Sequence, residues 1–190
     1  FDEVKCGVTI AAGGAQERFG VKPDLASWAK SIGGGAVIGA FGGRGDLMGE
    51  INNGAAHQGT FNGNPLSVAA SLATLTQVLT PEAYVHFDML GKRLTDGMNA
   101  AITNYGIPAH TIDLGAKGCV SYRSEPLTNY RDFLDTNTGL YDASYPWMIN
   151  RGVFMTPGDE EQWTMSVMHT TEHVDRYVDA FVGLCEALAA

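Results

Sequence analysis

The 190-residue sequence predicts an α/β region followed by a smaller α+β domain. Three observations lead to this prediction. Residues 1–66 contain short apolar runs separated by glycine-rich turns, which is typical of strands in the later part of an α/β domain. A long helical pattern follows near Pro81. The remaining residues alternate between strand-like and helical patterns, as in a small mixed domain.

The first 79 residues are predicted to be the C-terminal part of a larger domain. Their clearest strands are the run before Lys30 and the run at residues 36–41. An alanine-rich apolar segment from Pro65 to about Leu79 predicts a buried helix.

Residues 80–105 predict one long helix that connects two domains. Thr80 is a suitable N-cap, and Pro81 suits the first helical position because its missing N–H has no partner there. Apolar residues then recur at helical spacing, and Gly106 ends the pattern. The residues of this apolar face are Ala83, Phe87, Leu90, Leu94, Met98 and Ile102.

Residues 106–190 predict the smaller C-terminal domain. Strands are expected within 107–124 and 152–167, and helices within 130–150. A final helix at residues 170–189 has one apolar face. That face consists of Val174, Tyr177, Val178, Phe181, Val182 and Cys185.

Composition and charge restrict the partners. The formal net charge of −9 argues against nucleic acid and anionic membrane surfaces as partners. No segment is long and apolar enough to predict a membrane span. The three cysteines are odd in number and far apart, which favours reduced thiols in a cytoplasmic protein. His169 and His173 stand four residues apart, but no third ligand accompanies them, so no metal site is predicted.

Lys30 is the residue that points most directly to chemistry. It follows an apolar strand pattern and precedes the glycine triplet at residues 33–35, which would allow backbone to approach a ligand closely. An amine in such a position suits a Schiff base with a carbonyl group. The alternative is an ordinary solvated lysine, which is what most lysines are. Asp2 and Thr60, each in a distinctive local sequence, favour the chemical interpretation.

An ordered set of motifs covers nearly the whole chain and resembles a known family. The resemblance is to the class III, fold type I pyridoxal-phosphate aminotransferases, and especially to their glutamate-1-semialdehyde aminomutase branch. It weakens between about residues 106 and 146. The matching segments are residues 2–4 (Asp-Glu-Val), 13–21, 23–25, 30–35 (Lys-Ser-Ile-Gly-Gly-Gly), 39–43, 59–66 (Gly-Thr-Phe-Asn-Gly-Asn-Pro-Leu) and 150–154.

The resemblance implies a pyridoxal 5′-phosphate cofactor and assigns roles to three residues. Lys30 would form the internal aldimine and then shuttle a proton between substrate and cofactor. Asp2 would pair with the pyridinium nitrogen. Val4 would pack on one face of the ring, since a strand that carries both residues would place their side chains on the same side. On pattern alone, Val4 is equally well an ordinary core valine. The family fold implied is the later part of the large, mainly parallel-sheet domain, followed by the small C-terminal domain.

The resemblance also implies a shared active site. Gly59 and Thr60 match the pair that reaches the cofactor phosphate of the neighbouring subunit, so a homodimer is expected. Without the family, this segment would be a turn before a helix. Family members carry the first phosphate-binding loop and most substrate contacts upstream of Phe1, so the chain is expected to be part of a longer protein.

The substrate is less well defined than the chemistry. Glu161 aligns with a substrate-proximal glutamate of the aminomutase branch, although a surface carboxylate is the simpler reading. Val8 and Thr9 replace a common Phe-Arg pair, and residues 126–147 also depart from the family pattern. The expected activity is amino transfer from a small-molecule donor to a keto acid or aldehyde. An intramolecular 1,2-aminomutase and an inactive scaffold or dimerisation piece are the alternatives.

Overall fold

The computed structural model describes residues 1–158 and 163–190, and the chain divides into two compact units, residues 1–84 and 85–190. The predicted division into two domains joined by a helix at residues 80–105 stays a prediction. In the described ranges, no helix is long and apolar enough to cross a membrane.

The first unit consists of short elements connected by turns. Its elements, in chain order, are α1 (Gly14–Phe19), β1 (Leu25–Trp28), a 3₁₀ turn (Lys30–Gly33), β2 (Ala40–Gly43), α2 (Gly45–Met48), a second 3₁₀ turn (Gly49–Asn53), α3 (Pro65–Ala73) and a π-helical turn (Thr74–Val78). Strands β1 and β2 pair antiparallel, with Trp28 opposite Ala40. A single parallel bridge joins Asp2 to Ser27 of β1.

The strand predictions for this unit need two corrections. The family resemblance implied a mainly parallel sheet, but β1 and β2 pair antiparallel. Among the described residues of this unit, the one parallel pairing is the bridge between Asp2 and Ser27. The reason is local, because a 3₁₀ turn and a glycine run join the strands where a parallel pair needs a long crossover. The strand predicted at residues 36–41 begins only at Ala40.

The predicted helix at residues 65–79 is present, but it is not buried in this unit. Leu66 is 79% exposed and Leu72 is 62% exposed. The helix starts where predicted because the Asn64 side chain caps it, accepting from the N–H groups of Leu66 (3.0 Å) and Ser67 (3.3 Å). One side of the helix packs against the 3₁₀ turn that carries Lys30, and its other apolar side chains face outward.

Helix α4 confirms the strongest sequence pattern. It runs from Pro81 to Tyr105, and the left-handed Gly106 follows it. All six residues of the predicted apolar face are buried. The period of 3.6 residues was therefore sufficient to define which side of this helix faces the core.

The second unit combines a three-stranded antiparallel sheet with helices. Strands β3 (His110–Leu114), β4 (Lys117–Ser121) and β5 (Trp163–Thr164) lie in the order β3-β4-β5, and α5 (Tyr130–Leu134), α6 (Thr138–Ile149) and α7 (Thr171–Ala189) follow the predicted helical segments. Of the strand predicted within residues 152–167, only the two residues of β5 form among those described. In α7, four residues of the predicted face are buried, namely Val174, Tyr177, Phe181 and Cys185.

Shortening Leu90 on α4 is expected to destabilise the protein. Leu90 is 0% exposed, and Leu90→Ala should lower the free energy of unfolding by about 2–5 kcal/mol through lost burial and a cavity. Val85→Ala on the same helix is the control, because Val85 is 70% exposed and its truncation should cost less than about 0.5 kcal/mol. Urea denaturation measures both, and equal effects of the two variants would contradict the assignment of the core.

Candidate active site

Lys30 lies at the start of the 3₁₀ turn that directly follows β1. Its side chain is exposed, and its backbone has φ of 50°, the left-handed region that non-glycine residues avoid. Such a conformation costs about 1–3 kcal/mol and persists only where the surrounding structure enforces it. The sequence predicted a lysine at the end of a strand, and the structure places Lys30 there, on a strained turn after β1.

Asp2 lies beside the strand that leads to Lys30. The Glu3 N–H donates to the Ser27 carbonyl (2.8 Å), and the Ser27 N–H donates to the Phe1 carbonyl (3.0 Å). These bonds hold the Asp2 backbone against β1, three residues before Lys30. The exposed Asp2 carboxylate accepts from the Val4 N–H through Oδ1 (2.9 Å). Its Oδ2 makes no hydrogen bond or ion pair within the described chain.

Val4 begins a turn and does not continue a strand. The Gly7 N–H donates to the Glu3 carbonyl (2.8 Å), which closes the turn. The prediction that a strand carries both Asp2 and Val4 is therefore wrong beyond the bridge at Asp2. Side chains still alternate, because Glu3 is buried between the exposed Asp2 and the half-buried Val4.

Glu3 is an important residue that the sequence did not reveal. It is only 1% exposed, and its carboxylate accepts from the N–H groups of Ala15 (3.0 Å) and Gln16 (3.1 Å) and from the Cys6 thiol (3.1 Å). Burial alone would raise the pKa of Glu3, but these hydrogen bonds hold the pKa below its usual value. A Cβ on Gly14 would overlap this carboxylate. Because Gly14 has no side chain, the Glu3 carboxylate can reach the N–H groups at the start of α1.

Two of the three glycines that follow Lys30 pack directly against other parts of the chain. A Cβ on Gly33 would lie 2.9 Å from Cγ2 of Ile38, and a Cβ on Gly34 would overlap Oγ1 of Thr74. Only Gly35 faces open space within 4 Å. Gly33 and Gly34 thus allow neighbouring chain to pack closely, and the expectation that the triplet brings backbone close to a ligand stays a prediction.

Gly59 and Thr60 lie in an exposed turn segment before α3. The Asn62 N–H donates to the Gly59 carbonyl (3.1 Å), so the turn is closed locally. The His57 ring packs edge-on against Phe41 of β2, with 5.1 Å between ring centroids. The turn before a helix is confirmed. The role of Gly59 and Thr60 at a neighbouring subunit's phosphate stays a prediction.

Glu161, the predicted substrate-proximal carboxylate, lies outside the described residues. The nearby histidines are described, and both are engaged through Nδ1. His169 accepts from the Ser166 N–H (2.9 Å), and His173 accepts from the Thr170 N–H (3.1 Å) as part of the α7 cap. No cluster of three or more metal-ligating side chains occurs among the residues that the structure describes.

The three cysteines are free, but none is suited to act as a nucleophile. Burial, together with the hydrogen bond and the charge of Glu3, raises the pKa of Cys6 to about 11. Burial likewise raises the pKa of Cys119 to about 11 and that of Cys185 to about 11. Few thiolates exist near neutral pH at such values, so a thiolate mechanism is disfavoured.

An apolar cavity of about 490 Å³ lies in the first unit, next to the turn that carries Lys30. Trp28 and Ile32, which flank Lys30 in sequence, contribute to its walls, but neither Lys30 nor Asp2 does. A mostly apolar cavity does not suit a charged phosphate ester. The candidate site is therefore the exposed surface of Lys30 and Asp2 and not this cavity.

Comparison with known proteins identifies the family. The model of the family described as Aminotransferase class-III matches residues 1–136. The chain belongs to the class III aminotransferases. It is 41% identical to a curated glutamate-1-semialdehyde 2,1-aminomutase 2 of Exiguobacterium sibiricum, over 95% of this chain and 42% of that protein. The chain thus spans less than half the length of this relative.

Solved structures of class III transaminases share the fold. An omega-transaminase from Sphaerobacter thermophilus matches with a TM-score of 0.89 and 30% identity, covering 98% of this chain and 43% of that one. A glutamate-1-semialdehyde aminomutase from Pseudomonas aeruginosa PAO1, in complex with PMP, matches with a TM-score of 0.86 and 22% identity, covering 100% of this chain and 44% of that one. The prediction of an α/β, fold type I chain is confirmed at this level.

The prediction of pyridoxal 5′-phosphate as the cofactor is confirmed by membership of this family. The residues present in this chain fit that cofactor chemically. An aldehyde needs an amine, and Lys30 offers an exposed one. A pyridinium needs a carboxylate, and Asp2 has an oxygen without a partner in the described chain. The bridge between Asp2 and Ser27 holds both groups on neighbouring segments.

Proposed function

We propose that this chain carries the catalytic lysine of a pyridoxal-phosphate-dependent enzyme that transfers an amino group from an amine or amino acid to a keto acid or aldehyde. The observation that carries the proposal is Lys30, an exposed amine on a strained turn whose preceding strand is bridged to Asp2. Strained backbone conformations concentrate at functional sites, and the family supplies the reaction class.

Lys30 binds the cofactor and moves a proton. Pyridoxal phosphate, when bound, serves as an electron sink for the carbanion formed at the substrate carbon. Nζ of Lys30 would hold the cofactor at its aldehyde carbon and, as a free amine, would accept the proton from the substrate carbon. Arginine cannot replace it, because a guanidinium stays protonated.

Asp2 keeps the cofactor ring protonated. Its unpartnered Oδ2 would bind the ring N–H, while the Val4 N–H fixes the orientation of the carboxylate through Oδ1. The buried Glu3 anchors the same segment to α1, so the carboxylate of Asp2 is held on a rigid backbone. Val4 is proposed to contact one face of the ring.

The complete enzyme is proposed to be a cytoplasmic homodimer with a shared active site. Gly59 and Thr60 are exposed on a turn, so their N–H and hydroxyl groups are accessible to a phosphate held by the neighbouring subunit. Helix α4 is proposed to connect the cofactor-binding part, residues 1–79, to the small domain, residues 106–190. Glu161 is proposed to lie near the substrate.

A glutamate-1-semialdehyde-type aminomutase is the second candidate. It uses the same groups but returns the amine to a different carbon of the same substrate. The 41% identity to a curated aminomutase supports it. An inactive scaffold or dimerisation piece is a third reading, which the exposed Lys30 amine disfavours.

A single-turnover experiment distinguishes the two enzymes. The full-length protein is loaded with pyridoxamine 5′-phosphate and mixed with a panel of keto acids and aldehydes. A transferase is expected to release an aminated product from the acceptor and leave pyridoxal phosphate, in a 1:1 ratio to sites. Product from an acceptor unrelated to glutamate semialdehyde supports the transferase, whereas turnover of glutamate semialdehyde alone, without net loss of the amine form, supports the mutase.

A further inference from the structure

We infer that Thr74 is a positioning residue for Lys30, acting through its contact with Gly34. The inference rests on the proposed function, since it concerns the lysine that binds the cofactor. Thr74 does not touch the site itself. It lies on the helix α3 side of the glycine run, and its effect passes through the backbone of the 3₁₀ turn.

The contact between Gly34 and Thr74 leaves no room for a side chain. A Cβ on Gly34 would overlap Oγ1 of Thr74 and lie 3.3 Å from its Cβ and 3.7 Å from the Ala70 carbonyl oxygen. The Thr74 hydroxyl is itself fixed, because it donates to the Ala70 carbonyl (2.9 Å). The hydroxyl is therefore held in place and packs directly against the Gly34 backbone.

The turn between Lys30 and Gly34 transmits this contact. The Ile32 N–H donates to the Ala29 carbonyl (3.3 Å), and the Gly34 N–H donates to the Ser31 carbonyl (3.2 Å). Both ends of the turn are left-handed, with φ of 50° at Lys30 and 56° at Gly34. On the other side, β1 is fixed by pairing with β2. The strained Lys30 thus lies between one end fixed by the sheet and one end fixed by Thr74.

The helix changes geometry at the same residue. Thr74 is the first residue of the π-helical turn, which ends at Val78 and is followed by a bond from the Leu79 N–H to the Thr74 carbonyl (2.9 Å). Single π-helical turns within α-helices are rare and occur frequently at functional sites. The change of helix type at Thr74 coincides with the contact that supports the lysine turn.

Four variants of the full-length holoenzyme test the inference. Gly34→Ala adds the overlapping Cβ, and Gly34→Ala/Thr74→Ala removes the hydroxyl with which it overlaps. Thr74→Ala alone measures the effect of losing the hydroxyl. Gly20→Ala is the matched control, because Gly20 has φ of 64° with no atom within 4 Å of its would-be Cβ, and it carries the left-handed strain without an overlap. The readouts are kcat, KM, thermal stability and the pH midpoint of the absorbance change of bound cofactor.

Gly34→Ala is expected to lower kcat about 10-fold or more, with KM within about threefold, since small displacements of a reacting group have large effects on rate. The pH midpoint should move by about half a unit or more. Thr74→Ala, which lacks the hydroxyl that supports Gly34, should lower kcat about threefold and move the midpoint in the same direction by a smaller amount. The double variant should recover to the level of Thr74→Ala, while Gly20→Ala stays near wild type. Wild-type values for Gly34→Ala or for Thr74→Ala, or a double variant that keeps the full defect of Gly34→Ala, would overturn the inference.

Two further measurements keep the test decisive. If Gly34→Ala does not fold, Thr74→Val replaces it, because this variant places a methyl group against Gly34. It is expected to shift the pH midpoint in the same direction by a smaller amount, and an unchanged midpoint overturns the inference.

Borohydride reduction of the wild-type holoenzyme tests the proposed function separately. If Lys30 is not labelled, the proposed function fails. If it is labelled and the Gly34 variants behave as wild type, only the role of Thr74 fails.

Discussion

Lys30→Ala is expected to abolish covalent attachment of pyridoxal phosphate and to lower kcat by about 10³-fold or more, because the variant lacks both the nucleophile and the proton carrier. The backbone should tolerate the change, since the side chain is exposed and makes no hydrogen bond or ion pair within the described chain. The absorbance of the bound cofactor should become that of the free aldehyde form. Steady-state kinetics and absorbance spectra of the full-length protein measure these effects.

Lys22→Ala is the control for Lys30→Ala, because Lys22 is another exposed lysine of the first unit. It should keep the wild-type spectrum and kcat. Lys30→Arg should be as inactive as Lys30→Ala, since it retains the charge but not a deprotonatable amine. Activity of Lys30→Ala within about tenfold of wild type would sink the assignment.

Asp2→Asn is expected to have the second-largest effect. The variant keeps the shape of the side chain and can still accept from the Val4 N–H, but it no longer stabilises a charged ring nitrogen. An opposite charge at hydrogen-bond distance shifts a pKa by about 1–3 units, so the pKa of the ring nitrogen should fall by that amount. Both kcat and cofactor affinity should fall by about 10- to 1,000-fold.

Asp24→Asn serves as the matched control for Asp2→Asn. Asp24 is an exposed carboxylate of the same unit, paired with Arg44 (2.8 Å), and such a solvent-exposed ion pair contributes little to stability. It should leave the cofactor spectrum unchanged. Asp2→Glu should recover part of the activity, because it restores the charge at a longer reach. Equal cofactor affinity in Asp2→Asn and wild type would show that Asp2 does not contact the ring.

Patterns that depend on local periodicity and capping were predicted well from the sequence. The buried face of α4, from Ala83 to Ile102, follows from a strict helical period. Helix α7 begins one residue after the predicted start at Thr170, and α3 begins at Pro65 as predicted, because capping and the geometry of proline act within one turn. Lys30 was proposed as a site residue from its neighbours in the chain, and Asp2 from the family motif.

Features that depend on distant pairs of residues were not predictable. Nothing near Glu3 in sequence indicates that Gly14 leaves space for its carboxylate. The contact of Gly34 with Thr74 likewise joins two segments that are far apart in the sequence, and no local pattern links them. The left-handed backbone of Lys30 and the exposure of α3 could not be predicted for the same reason. Both depend on which other segments pack against the element, and not on the hydrophobic period of the element itself.

The central claim is that Lys30 holds the cofactor, and peptide mapping tests it most directly. The full-length protein is incubated with pyridoxal phosphate, reduced with sodium borohydride, digested, and sequenced by mass spectrometry. We predict one stoichiometric pyridoxyl group on Nζ of Lys30, and none on Lys22 or Lys92, which is ion-paired to Asp96 (2.9 Å). A pyridoxyl group distributed over several lysines, or absent from Lys30, would contradict the account.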